Sequence, residues 1–186
     1  MSNAIDINSY NFTNKDALFI DTNIWYYIYG PQGEISQNVR VYSKALNKIY
    51  KAKSSIYIDV LIMSEFINRY SKEEYNRKYA KKYGEYKKYR QSKDFTPIAK
   101  DIAIASHNIL KRCQPTTSFF ESMNVTSVLT DYEKGNVDFN DKIIANICVE
   151  KGLKLITHDF DFATSSLNIL TARNEMLNPP KSKTKK

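Results

Sequence analysis

Short apolar runs alternate along this chain with longer stretches in which apolar residues recur every three or four positions. Residues 5–16 are polar and read as a lead-in. Ala17-Leu18-Phe19-Ile20 then has the length and composition of a buried strand, and it closes on Asp21. Thr22 or Asn23 is the expected N-cap of a helix over 24–29, which Gly30-Pro31 ends. Val39, Tyr42, Ala45, Leu46 and Ile49 fall at helical spacing and predict a helix over 36–50. Ser55–Ile58 is the next short strand, with Asp59 as cap of the helix that follows. In that helix Ile62, Met63, Phe66, Ile67 and Tyr70 form the apolar stripe, and Glu65 falls to one side of it.

Two long helices are predicted next, over 72–92 and 97–112, with Pro97 at the first helical position of the second. Ile98, Ile102, Ala105 and Ile109 are its inner face. Residues 118–134 read as mostly helical, broken by Gly135-Asn136. Asp138 or Asn140 caps a helix through 150 that Gly152 stops. Strands are expected over 153–157 and 167–171, and the lysines after Pro179-Pro180 form a disordered tail. Strands alternating with helices, over connections too long for hairpins, predict an α/β fold: a central, mainly parallel sheet covered on both faces. The expected organisation is a single domain over 1–178, a basic helical hairpin over about 68–112, and a basic tail over 179–186. In such sheets ligands bind at the carboxyl ends of the strands.

At 186 residues the chain is long enough for one real core. No apolar run reaches the roughly 18–20 residues needed to cross a bilayer. The start lacks the basic-then-apolar layout of a secretion signal, so the expectation is a cytoplasmic protein with no membrane association. Cys113 and Cys148 have no metal-type spacing; Cys148, in an apolar stretch, reads as a buried thiol, with a disulfide as the alternative. His107 and His158 are too few and too distant for a zinc site. The net charge of +8 is unevenly spread: residues 69–93 hold ten Lys/Arg against three Glu, and the last six residues hold four Lys. A mildly acidic body thus carries a basic arm and tail, surfaces that attract a polyanion.

Four acids stand out, because each lies at or just past an apolar segment. They are Asp21, Glu65, Asp141 before Lys142-Ile143-Ile144-Ala145, and Asp159 after Leu153-Lys154-Leu155-Ile156-Thr157-His158. A carboxylate beside a buried strand is costly unless something positive binds it. Two divalent cations in a carboxylate cluster are a common solution, suited to hydrolysing phosphodiesters.

Four stretches carry a resemblance. Phe19-Ile20-Asp21-Thr22-Asn23 is similar to the opening of the PIN domain, Ser64-Glu65-Phe66 to its second acidic motif, and Asp141-Lys142-Ile143-Ile144-Ala145 to its Asp-x-x-Ile-Ala helix. Ile156-Thr157-His158-Asp159-Phe160-Asp161-Phe162 resembles its Thr-x-Asp-x-Asp-Phe stretch. The order is that of the family, over about 17–171. The resemblance implies a PIN-like three-layer α/β/α fold, to which the hairpin at 68–112 is an elaboration. It implies a Mg²⁺- or Mn²⁺-dependent endoribonuclease with RNA as substrate. Many bacterial members are VapC-type toxins, so an antitoxin protein and a homodimer are the partners it suggests.

On this reading Asp21 and Asp141 are the principal metal ligands. Asp159 and Glu65 complete the site directly or through water, and Thr157 and Asn23 orient them. Asp138 reads as an acid favoured by a helix N-terminus, Asp161 as a turn residue, and His107 as a packed or partly exposed helix residue. His158 should point away from Asp159. Tyr75, Tyr79, Tyr83 and Tyr86 share one helical face, which either packs on the 98–109 face or stacks on bases beside Lys78, Lys81, Lys82, Lys87 and Lys88. Two rival functions are a nucleic-acid-binding module without catalysis and a phosphohydrolase with Asp21 as nucleophile. The second lacks its usual Asp-x-Asp, because position 23 is asparagine. A nuclease of RNA processing outside any toxin–antitoxin pair is a further alternative.

Overall fold

The computed structural model describes residues 3–31, 36–135 and 138–179. Its centre is a six-stranded sheet in which β1 (Asn3–Asp6), β6 (Asn168–Thr171), β5 (Lys154–Ile156), β2 (Ala17–Ile20), β3 (Ser55–Ile58) and β4 (Gln114–Pro115) lie side by side in that order. Every pairing is parallel. Leu18, Phe19 and Ile20 are successive residues whose side chains alternate between faces, and all three are buried. Both faces of the sheet are therefore covered by helices, in the expected three-layer α/β/α arrangement.

The helices begin and end where local chemistry dictates. In α1 (Thr22–Tyr29) the N-cap is Asp21, one residue earlier than expected, and its side chain makes no capping bond. The carboxylate is directed elsewhere, as described below. Ser36 caps α2 (Gln37–Ala52) by accepting from the Val39 amide at 3.3 Å, and Asp59 caps α3 (Val60–Glu74) by accepting from the Leu61 amide at 2.8 Å. Ile62, Phe66 and Tyr70 of the predicted stripe are buried, whereas Ile67 is exposed.

The stretch 72–92 is not one long helix. A π-turn (Tyr75–Tyr79) follows α3; then come α4 (Ala80–Tyr83), a break at Gly84 with φ of 67°, and α5 (Tyr86–Arg90). Only glycine adopts that backbone without strain. The chain turns there so that Tyr89 becomes fully buried. Tyr79 stacks on Tyr89 with ring centroids 4.7 Å apart, and Tyr75, Tyr83, Tyr86 and Phe95 pack around it. The tyrosine face is thus centred on Tyr89, and Tyr79 and Phe95 join it to the main core, to which the 98–109 face belongs. Three of the neighbouring lysines are paired: Lys78 with Glu74, Lys82 with Asp94, and Lys88 with Glu85.

α6 (Phe95–Leu110) starts two residues before Pro97, which sits within the first turn, where the missing amide hydrogen has no helical partner to lose. Its inner face is Ile98, Ile102, Ala105, Ser106 and Ile109, and His107 is exposed. Residues 118–134 are helical only in part: a 3₁₀ turn (Phe120–Ser122) precedes α7 (Val125–Glu133), with Phe119 left-handed between strand and turn. α8 (Phe139–Lys151) is capped by Asp138, which accepts from the Asn140 amide at 2.7 Å, and is stopped by Gly152. A short α9 (Asn174–Leu177) follows β6.

Two strands lie where the apolar pattern predicts none. Part of the polar lead-in is β1, an edge strand whose alternation spans four residues. β4 is two residues long and contains Pro115, which an edge tolerates because its missing amide removes no inner ladder bond. Cys113 and Cys148 are free thiols, the latter buried. Asn136 of the predicted break, and the basic tail after Pro179, lie outside the described residues.

Candidate active site

β2 lies between β3 and β5, so successive connections leave it in opposite directions and open a crevice at its carboxyl end. Asp21 stands there. Its amide continues the ladder by donating to the Ile156 carbonyl at 3.0 Å, so the residue is fixed by the pairing of β2 with β5. With 6% of its surface exposed, its carboxylate is almost wholly removed from bulk water. Oδ2 accepts from Thr157 Oγ1 at 2.6 Å and from Asn23 Nδ2 at 2.5 Å. The same Thr157 hydroxyl oxygen accepts from the Asp159 amide at 2.9 Å, and Asn23 Oδ1 accepts from the His158 amide at 3.2 Å. One small network therefore sets Asp21, the start of α1 and the loop carrying Asp159 in a common frame.

The other acids arrive from separate elements. Glu65 projects from α3, where Thr22 Oγ1 donates to its Oε2 at 3.2 Å. Asp141 lies in the first turn of α8, and Asp159 caps the 3₁₀ turn (Phe160–Thr164) by accepting from the Asp161 amide at 3.1 Å. All four line one cavity of about 270 Å³, together with Asp138, Asp161 and Arg69. The four predicted residues, separated by up to 138 positions, are thus brought to a common hollow.

The electrostatics carry the strain of that convergence. Burial pushes the Asp21 carboxyl up to about 6, against the Thr157 hydrogen bond and with the help of the charges on Glu65 and Asp159. Asp141 is pushed up to about 7, by burial first and then by the charges of Asp138, Asp159, Asp21 and Asp161. Glu65 is raised by burial, which Thr22 and Arg69 partly oppose. Arg69 is the residue that sequence reasoning overlooked. It lies one turn beyond Glu65 on α3, an i,i+4 spacing that could have flagged it. Its guanidinium rests 4.2 Å from the centroid of the Tyr26 ring and 3.5 Å from Glu73.

Among the described residues, no three His, Cys, Asp or Glu side chains are drawn together tightly enough to chelate an ion as they stand. The donor set nonetheless suits a hard divalent cation. It is all carboxylate oxygen, partly desolvated and mutually repelling, and a cation would lower every one of these raised values.

The remaining candidates separate cleanly. Asp138 and Asp161 reach the cavity wall but are exposed. His158 turns away, its Nδ1 lying 2.9 Å from the Tyr42 hydroxyl and its ring edge-on to Tyr27 and Tyr42. No helix among the described residues is long and apolar enough to cross a membrane.

The family model described as "PIN domain" matches residues 18–165. Among solved structures, a chain of VapBC2 from Rickettsia felis, crystallised with a DNA fragment from its promoter, superposes with a TM-score of 0.52. The two are 16% identical, and the match covers 84% of this chain and 98% of the other. No protein of curated function matches this sequence.

Proposed function

Because the chain belongs to the PIN domain family, we propose that it is a divalent-metal-dependent endoribonuclease. The observation that carries this reading is the convergence of Asp21, Glu65, Asp141 and Asp159 on one hollow at the carboxyl end of the central strand. Asp21 and Asp141 are the principal holders of the cation, and Glu65 and Asp159 complete the set. When bound, Mg²⁺ or Mn²⁺ activates water near neutral pH and neutralises charge developing on the leaving oxygen. Thr157 and Asn23 fix one oxygen of Asp21, so that its orientation does not depend on the ligand. Arg69 offers a planar, permanently charged group to a phosphate that must approach several carboxylates. Lysines of the 72–92 arm add affinity for an RNA backbone without selecting its sequence.

Cleavage of single-stranded RNA in Mg²⁺ or Mn²⁺ tests the proposal. Asp21→Asn and Asp141→Asn should each abolish cutting while the far-UV circular dichroism stays that of wild type. Wild-type rates in both variants would overturn the assignment.

The likeness to VapBC2 favours, within this reading, a toxin of a toxin–antitoxin pair, acting in the cytoplasm and held by an antitoxin protein. Growth arrest on expression of this chain alone, relieved by the product of an adjacent small gene, is the expected result. Unimpeded growth under the same induction would instead favour a nuclease of RNA processing. Sedimentation tests the homodimer.

A further inference from the structure

A second hollow, of about 640 Å³, opens beside the carboxylate cavity and shares Asp138, Asp141 and Asp161 with it. Its chemistry differs. Phe160 and Ala145 give it an apolar wall, and Thr164 and Ser165 bring hydroxyl groups. The turn Phe160-Asp161-Phe162 presents its two rings unequally: Phe162 is 2% exposed and belongs to the core, whereas Phe160 is 40% exposed. Arg173 lies with its guanidinium carbon 5.3 Å from the Phe160 ring centroid, and its Nη1 donates to the His158 carbonyl at 3.0 Å. That bond ties the cation to the same loop that carries Asp159. An aromatic ring thus lines a hollow that shares three acidic residues with the carboxylate site, flanked by a cation and unused by the core.

We propose that Phe160, with Arg173 beside it, is a stacking platform for one nucleobase of single-stranded RNA, the base next to the phosphate held at the carboxylates. The proposal rests on the ribonuclease reading and adds a subsite to it. A base is flat, aromatic and polar only at its edge. Such a group is matched by a ring to stack on and by the hydroxyls of Thr164 and Ser165 that line the same hollow. Because the two cavities share a wall, a nucleotide whose phosphate reaches Asp141 has its base within reach of the second hollow. Stacking is tolerant of base identity, so the subsite secures single-stranded substrate more than a particular sequence. A duplex, whose bases are already stacked, cannot offer one.

The test uses the full chain with Mn²⁺ and an RNA carrying one abasic nucleotide on either side of the cut. Phe160→Ala should lower kcat/KM on intact RNA by about 10- to 100-fold, the range that alanine substitution of a base-stacking ring produces. Wild type should lose a similar factor when the base is removed, and Phe160→Ala should then lose little more. Phe160→Trp should retain activity and report binding directly, since the one native tryptophan, Trp25, is fully buried. The introduced indole should be quenched by nucleoside monophosphates and not by ribose 5-phosphate. Equal fractional losses from base removal in wild type and Phe160→Ala would overturn the platform while leaving the nuclease intact. A wild-type protein that cuts no RNA would defeat the ribonuclease reading, and quenching by nucleoside monophosphates would then decide the platform alone.

Discussion

Removing one charge from the carboxylate cluster should stabilise the metal-free protein, and the gain should depend on pH in a defined way. Asp21 has an ordinary aspartate's value when unfolded and about 6 when folded. The folded protein therefore binds a proton more tightly than the unfolded chain. Stability from this group is complete below about pH 4, falls as pH rises towards 6, and is flat above that. A rise of about 2 pH units corresponds to about 3 kcal/mol, which is an upper figure because solvent and salt reach part of the cluster. Asp21→Asn keeps the shape and retains an oxygen to accept from Thr157 and Asn23, but carries no charge. In a chelator its melting temperature should equal that of wild type near pH 4 and exceed it by about 5–10 °C at pH 8, at about 2–4 °C per kcal/mol for a chain of this size. Adding Mn²⁺ should raise the wild-type value at pH 8 and move the variant less. Calorimetry from pH 4 to 8 measures this. Parallel pH profiles for the two proteins, with a constant offset, would refute a desolvated anionic cluster at Asp21.

Thr157→Val removes the donor that holds Asp21 down, so Asp21 should rise further, and the acid limb of cleavage activity should move to higher pH with the plateau rate less affected. Asp16, buried against Tyr10 and Lys154 at 2.7 Å each, is held down to about 2 although burial alone would raise it. Its contribution is present above about pH 4 and lost towards pH 2, so Asp16→Asn should destabilise at neutral pH and be nearly silent below pH 2, read by urea melts. Tyr89→Ala empties the middle of the tyrosine cluster and should cost about 3–5 kcal/mol in the stability of that segment. Hydrogen exchange over 75–95 should rise while the central strands stay protected.

The inner strands were legible because three or four consecutive apolar residues, such as Leu18-Phe19-Ile20, fit a strand buried on both faces. Asp59, Asp138 and Gly152 were legible as caps because each offers a helix end the group it lacks, whereas Ser36, expected inside its helix, is the cap of α2. β1 and β4 were not, since four residues and two carry too little alternation to separate from loop. The tyrosine arm illustrates a deeper limit. Spacing put Tyr75, Tyr79, Tyr83 and Tyr86 on one face, yet the chain turns at Gly84 between Tyr83 and Tyr86, and all four pack on Tyr89. For the site, the acids announced themselves by standing at the ends of apolar segments. Arg69 did not, because an arginine on a helix ordinarily means a solvated face.

The raised carboxyls and the hydrogen-bond network at the carboxyl end of β2 have one physical origin. Burying Asp21 beside Glu65 and Asp159 is unfavourable, and nothing local requires it, since Asp21 occupies an N-cap position without capping. The frame that holds it there draws on the β2–β5 ladder and on Thr157, which is fully buried and shared between Asp21 and the Asp159 amide. The inner strands, with Leu18, Phe19 and Leu155 wholly removed from water, supply the stability that this arrangement draws on. Arg69, the one cation lining the cavity among the described residues, faces six carboxylates and leaves most of their charge uncompensated. A fold that holds a group in a costly ionisation state with a rigid frame, yet withholds the neutralising charge, supports the proposed ligand, a cation that would bring that charge with it.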